Sequence, residues 1–201
     1  VPTSVPLPPV TRVEAQRLKL RPLAAADLPD LLEVNGDPEV TRFLPYETWQ
    51  SLADAEAWLA RMETMAASGT GQVLVLERRS DAKVIGDLLL FKYDEGSRRI
   101  ELGYVLGRVH WGKGLMREAI TAACACAFDE LGIRRIEAEV NPENLASCAL
   151  LLKVGFALEG RLRKRWEAKG NAYDTNIYGW LAEDRLAAGA GRQGSDHGRS
   201  E

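Results

Sequence analysis

The sequence predicts a mixed α+β domain built on one central, mostly antiparallel sheet flanked by helices. Apolar residues alternate with period two in some stretches and recur every three or four residues in others. Three strand-like runs follow one another across short turn signals, and glycine or proline marks nearly every change of period.

In chain order, Arg17–Arg21 alternates and stops at Pro22, which predicts a first strand. Asp27 opens a short helix through Val34, and Asp37-Pro38 reads as an N-cap with proline at the first helical position. Ser51 to Ala67 is a stronger helix, with Leu52, Ala55, Leu59, Met62 and Met65 or Ala66 on one stripe. Gly69 and Gly71 end it. Gln72–Arg79, Lys83–Phe91 and Arg98–Leu106 form an antiparallel meander. Leu115 to Leu131 is a second long helix, buried through Met116, Ala119, Ile120, Ala123, Ala127 and Leu131, with Gly132 closing it. A strand at Arg135–Val140 and a helix from Asn144 to Val154 follow. Strands Phe156–Arg165 and Ala172–Leu181 then meet around Lys169-Gly170.

The 201 residues suit one domain with tails. Residues 1–16 form a Pro-rich extension, 17–186 the folded domain, and 187–201 a Gly- and Ser-rich tail expected to be disordered. A net charge of -3 argues against a nucleic-acid partner, whose phosphates call for a concentrated basic surface. No apolar run is long enough to cross a membrane, and the first residues lack the pattern of a secretory signal. Three cysteines (Cys124, Cys126, Cys148) without a CxxC, and only two histidines, give no zinc pattern. A reduced, cytoplasmic protein is expected.

The most informative segment is Gly107-Arg-Val-His-Trp-Gly112-Lys113-Gly114, between a predicted strand and a predicted helix. Backbone N–H groups and a helix N-terminus converge there, and glycine lets an anion approach the main chain, so the loop suits phosphate or pyrophosphate. A plain strand-to-helix turn with glycines at positive φ is the alternative. Residues 107–113 fit GxxxxGK, but Gly114 replaces the hydroxyl residue that holds magnesium in a P-loop. A dinucleotide fingerprint starting at Gly112 needs a third glycine where Arg117 stands. Phosphate binding without a metal is what remains.

Trp111-Gly-Lys-Gly-Leu-Met-Arg-Glu-Ala119, Ala127-Phe-Asp-Glu-Leu-Gly132, Arg135-Ile-Glu-Ala-Glu-Val-Asn-Pro-Glu-Asn144-Leu-Ala-Ser147, Lys153-Val-Gly-Phe156 and Glu159-Gly-Arg-Leu-Arg163 together resemble the GNAT acyltransferases. More narrowly they resemble the RimJ/RimL-like branch, the ribosomal-protein N-terminal acetyltransferase-like proteins. The resemblance runs from Leu18 to the strand around Asp174 and Trp180, and implies a twisted sheet splayed at the cofactor site. It implies acetyl-CoA as co-substrate, no metal, and a primary-amine acceptor attacked directly in a ternary complex. The acceptor expected from that branch is the N-terminal amine of a protein. The alternatives are a small amine, such as an amino acid, polyamine or antibiotic, or a non-catalytic module that binds acyl-CoA. Monomer and homodimer are equally open.

The family's phosphate loop is written [QR]xxGx[GA]. Gly112 and Gly114 match, while Val109 stands where Gln or Arg is usual. By resemblance the amides of Trp111, Gly112, Lys113, Gly114, Leu115 and Met116 hold the pyrophosphate, with the Lys113 charge nearby. Main-chain groups of Val105 and Leu106 pair with the pantetheine arm. Asn144 and Ser147 match the family's NxxS facing the thioester end; both also suit a helix N-terminus.

Attack on a thioester needs a neutral amine and a proton for the departing thiolate. Glu101 lies in the otherwise apolar run Ile100–Leu106 near the expected thioester. Burial there raises its pKa and suits it to act as base, directly or through water. Its alternative is a structural carboxylate paired with Arg98, Arg99 or Arg135. Many relatives place a tyrosine four residues before the glycine of KxGF as the acid; here Leu151 holds that place. Ser147 is the replacement by motif, Tyr104 a more distant one, and departure to water needs neither.

Phe43, Tyr46 and Trp49 fall where the acceptor cleft has its lid, as substrate contacts or as core anchors. Arg161, Arg163 and Arg165 alternate onto one strand face, solvated or turned to an acidic partner or the cofactor's 3′-phosphate. Cys124 and Cys126 point to different faces of one helix, and His197 lies in the tail without a role.

Overall fold

A computed structural model of the chain describes residues 5–185. One sheet runs in the order β1 (Val13–Glu14), β2 (Leu18–Pro22), β3 (Gln72–Arg78), β4 (Val84–Asp94), β5 (Arg99–Leu106), β6 (Arg135–Val140), β8 (Asn171–Leu181) and β7 (Ala157–Ala168). Neighbours are antiparallel except β5 and β6, which are parallel because α4 (Leu115–Asp129) crosses between them.

Helices cover both faces, which explains why β3 and β4 read as nearly continuous apolar runs. Leu74, Leu76, Leu88 and Leu90 point to one face and pack with Leu115, Ala119, Ile120 and Ala123 of α4. Helix α5 (Leu145–Val154) adds Leu151 on that side. Val73, Val75 and Val84 point the other way, against Leu28 and Leu31 of α1 (Leu28–Asn35) and Ala55 and Trp58 of α3 (Leu52–Ala67). The short α2 (Pro38–Thr41) begins at Asp37, whose side chain accepts the Glu39 amide at 3.0 Å.

The splay implied by the resemblance is present. β5 pairs with β6 only from Arg99 opposite Arg135 to Glu101 opposite Glu137. From Leu102 to Leu106 it keeps β4 alone, with Gly86 opposite Leu106 at the far end. A wedge therefore opens between β5 and β6.

Three particulars differ from the expected fold. The Pro-rich segment is not free before residue 17, since Leu7, Val10 and Val13 are buried in the main core. The Gln72 side-chain amide holds both the N–H and the C=O of Val10, at 2.9 and 3.1 Å. On α3, Leu52 is exposed and Trp58 takes the stripe. On β7 the alternation of Arg161, Arg163 and Arg165 is broken by a register shift between Leu162 and Trp166, with Lys164 at φ +52°. Residues 187–201, including His197, lie outside the described residues.

Candidate active site

A cavity of about 280 Å³ lies on the α1–α3 side of the wedge. Strands β4 and β5 supply Asp87, Phe91, Glu101, Gly103, Tyr104 and Val105. Glu139 of β6, Asn144 and Ser147 at the start of α5, and Trp166, Tyr173 and Thr175 of the β7–β8 hairpin close the other side. Buried polar atoms normally find partners. Among the described residues four buried side-chain atoms have none, and three of them, Asp87 Oδ2, Tyr104 Oη and Thr175 Oγ1, belong to residues lining this cavity.

Glu101 is 5% exposed, and burial raises its pKa against the opposing pull of Lys92. Its partner is Lys92, Nζ to Oε2 2.7 Å, and none of the expected arginines. Arg99 and Arg135 instead pair with Glu137, at 2.6 and 2.7 Å. Strand alternation would send Phe91 and Lys92 to opposite faces. The register shift after Phe91, with Lys92 at φ +53°, brings the ammonium back to 5.2 Å from the Phe91 ring centre and 5.6 Å from that of Trp166. Glu139 sits 3.7 Å from Lys92, accepts the Trp166 indole N–H at 2.6 Å and lies 3.5 Å from Arg165.

Asn144 caps α5, its Oδ1 accepting the Ser147 amide at 3.1 Å, so the capping role is realised, and the residue also lines the cavity. The Ser147 hydroxyl is close enough to Tyr104 to oppose the burial that pushes the Tyr104 phenol up to about 12. Leu151, at the position where the resemblance leads one to expect tyrosine, is wholly buried in the core. The aromatic loop divides: Phe43 and Tyr46 line the cavity, whereas Trp49 is buried 5.5 Å from Trp58.

At the wide end of the wedge the glycine loop leads into α4. Gly112 (φ +71°) and Gly114 (φ +74°) are both left-handed, and a side chain on Gly112 would meet nothing within 4 Å. No side chain caps the helix at Gly114, which leaves its first amides to an anion. The residues from Trp111 to Met116 thus fit a pyrophosphate. Two contacts qualify the sequence-based assignments. The Leu106 carbonyl already accepts the Trp111 indole N–H at 2.7 Å. Arg17, which sequence reasoning passed over, donates to the Lys113 carbonyl at 2.8 Å and pairs with Glu118 at 2.7 Å. Asp87, Lys92 and Thr175 were likewise missed. Only Asp87 carried a sequence signal, as a lone acid in the apolar run Val84–Phe91.

The family model described as an acetyltransferase (GNAT) domain matches residues 17–157, and the chain belongs to that family. It is an acetyl-CoA-dependent N-acetyltransferase. The uncharacterized N-acetyltransferase p20 of Bacillus licheniformis is 32% identical over 169 residues, 84% of this chain and 95% of that one. The spermidine N(1)-acetyltransferase of Escherichia coli is 26% identical over 159 residues, 78% of this chain and 81% of its own. Among solved structures, a GCN5-related N-acetyltransferase from Brucella melitensis superposes with a TM-score of 0.81 at 25% identity, over 94% of this chain and 86% of the other. Among the described residues no helix is long and apolar enough to cross a membrane.

Proposed function

We propose that the cavity at the β5–β6 wedge receives a primary amine as its ammonium ion, and that this amine is the N-terminus of a protein, as the RimJ/RimL-like motifs imply. The observation that carries the amine reading is the charge of the wall. Asp87, Glu101 and Glu139 line it; Lys92 pairs with Glu101 and Arg165 lies 3.5 Å from Glu139, so the charge of Asp87 is left for a cation when all are ionised. Phe43, Tyr46, Phe91 and Trp166 supply an apolar surround for the residue that carries the amine.

In this reading Glu101 accepts, directly or through water, the proton released as the C–N bond forms. Lys92 holds that carboxyl in place. Asn144 and Ser147 face the thioester end, and Ser147 with Tyr104 offers the departing sulfur a proton. The amides from Trp111 to Met116 hold the pyrophosphate, and the free edge of β5 around Val105 takes the pantetheine arm.

A small polyamine is the second reading, favoured by the spermidine-acetylating relative. Thiol release from acetyl-CoA tests both, with short N-terminal peptides set against polyamines. Peptide-dependent release is expected, with Glu101→Gln lowering turnover by about 100-fold. Release with polyamines alone would replace the protein acceptor by the small one. Acetyl-CoA binding with no turnover on either set would contradict the amine reading.

A further inference from the structure

We propose that Asp87 is a second catalytic carboxyl, which takes the proton from the acceptor's ammonium ion before attack; this rests on the amine reading above. Asp87 lies on β4 directly opposite Val105, within the stretch where β5 has no partner on its β6 side. It is therefore level with Tyr104, which lines the same cavity with Ser147. Glu101 lies four residues from Val105 along β5, about 13 Å away.

Asp87 alone among the three cavity carboxyls has no counter-ion. Glu101 is held by Lys92, and Glu139 by Arg165 and the Trp166 indole. Asp87 is 5% exposed, and its Oδ2 has no hydrogen-bond partner. A carboxylate buried in this way costs stability unless something pairs with it. The acceptor's ammonium is a partner of the right charge, delivered to the place where it must lose a proton.

The surroundings offer no competitor. Val75 on β3 and Val105 on β5, directly across, are apolar. Tyr46, from the loop before α3, feels the Asp87 charge and that of Arg61 on α3, but its hydroxyl donates to Asn35 of α1 at 2.8 Å. Burial alone holds the Asp87 carboxyl at about 7, so both protonation states are populated near neutrality, as proton transfer requires.

An N–H bond of the ammonium breaks and its proton goes to Asp87, leaving the nitrogen lone pair free. That pair forms the C–N bond to the acetyl carbon, the C–S bond breaks, and its electrons leave with sulfur. Of the two protons lost by nitrogen, one reaches solvent from Asp87. The other, carried through water to Glu101, balances the proton acquired by the thiolate.

The test is the pH dependence of kcat/KM in the wild type, Asp87→Asn and Glu101→Gln, with acetyl-CoA binding checked in each. The wild type is expected to show a low-pH limb near 7. Asp87→Asn should bind acetyl-CoA normally, lose about 100-fold in kcat/KM and lose that limb, its rate following the free-amine fraction instead. Glu101→Gln should keep the limb. An intact limb in Asp87→Asn, a loss under twofold, or lost acetyl-CoA binding would overturn the proposal. A readout without turnover separates it from the amine reading. In carbon-13-labelled protein the Asp87 carboxyl, identified by its absence from Asp87→Asn, should titrate near 7 and shift when n-butylamine is added with CoA. Titration near 4, the usual carboxylate range, or an unmoved resonance overturns it even if no amine is acetylated.

Discussion

A carboxyl that titrates near 4 in the unfolded chain and at about 7 when folded makes the native state bind an extra proton between those values. Stability therefore falls as pH rises from about 4 through about 7, and above that the burial of Asp87 costs on the order of 4 kcal/mol. Asp87→Asn removes this dependence. The variant is expected to melt above the wild type at pH 8 and to converge with it at pH 4; an equal difference at both pH values would contradict the burial. At this scale Glu101 was legible because an acid stands alone in an apolar strand. Asp87 carries the same signal, but which face it points to depends on its register with β5, and nothing local in Gly86-Asp87-Leu88 states that. The position of Lys92 was hidden for a related reason. A register shift redirects the side chain, whereas alternation along the strand would place it on the far face.

At the scale of elements, the ends of helices were the most legible features, because capping chemistry is local. Asn144 before α5 and Gly155 after it were both readable. Gly155 has φ +130°, and a Cβ there would come within 3.1 Å of Trp180, which itself packs at 5.4 Å on Phe128 and on Phe156. Gly155→Ala thus combines backbone strain with a clash and should cost about 2–4 kcal/mol in denaturant unfolding. Gly112→Ala, at φ +71° with open space around it, should cost about 1 kcal/mol. Equal costs would show that the Trp180 contact is not what fixes the glycine. The wedge between β5 and β6 was not readable from composition or periodicity. Both strands are regular, and what opens them is where pairing stops, at Glu101 and Glu137. Only the family resemblance carried that information.

For the whole molecule, the mixed sheet and the succession of strands and helices along the chain follow from period changes that the sequence displays. The fate of the first residues did not. A segment with Pro2, Pro6, Pro8 and Pro9 reads as an extension, yet Leu7 and Val10 reach the core, because a side chain far along the chain, Gln72, satisfies the backbone of Val10. Long-range partnerships of this kind leave no local trace. The same holds for the site, whose wall is gathered from the aromatic loop before α3, from β4, β5 and β6, from the start of α5 and from the closing hairpin. In the proposed reaction that cavity is where the amine meets the thioester. Gly103 is its most direct probe. A Cβ there would meet Phe91 at 3.6 Å and Leu89 at 3.7 Å, so a methyl fits, while the larger Gly103→Val projects into the cavity. Amine-dependent thiol release from acetyl-CoA should fall at least about 100-fold in Gly103→Val, while acetyl-CoA still raises its melting temperature as it does that of the wild type. Wild-type turnover in that variant would contradict the placement of the acceptor site.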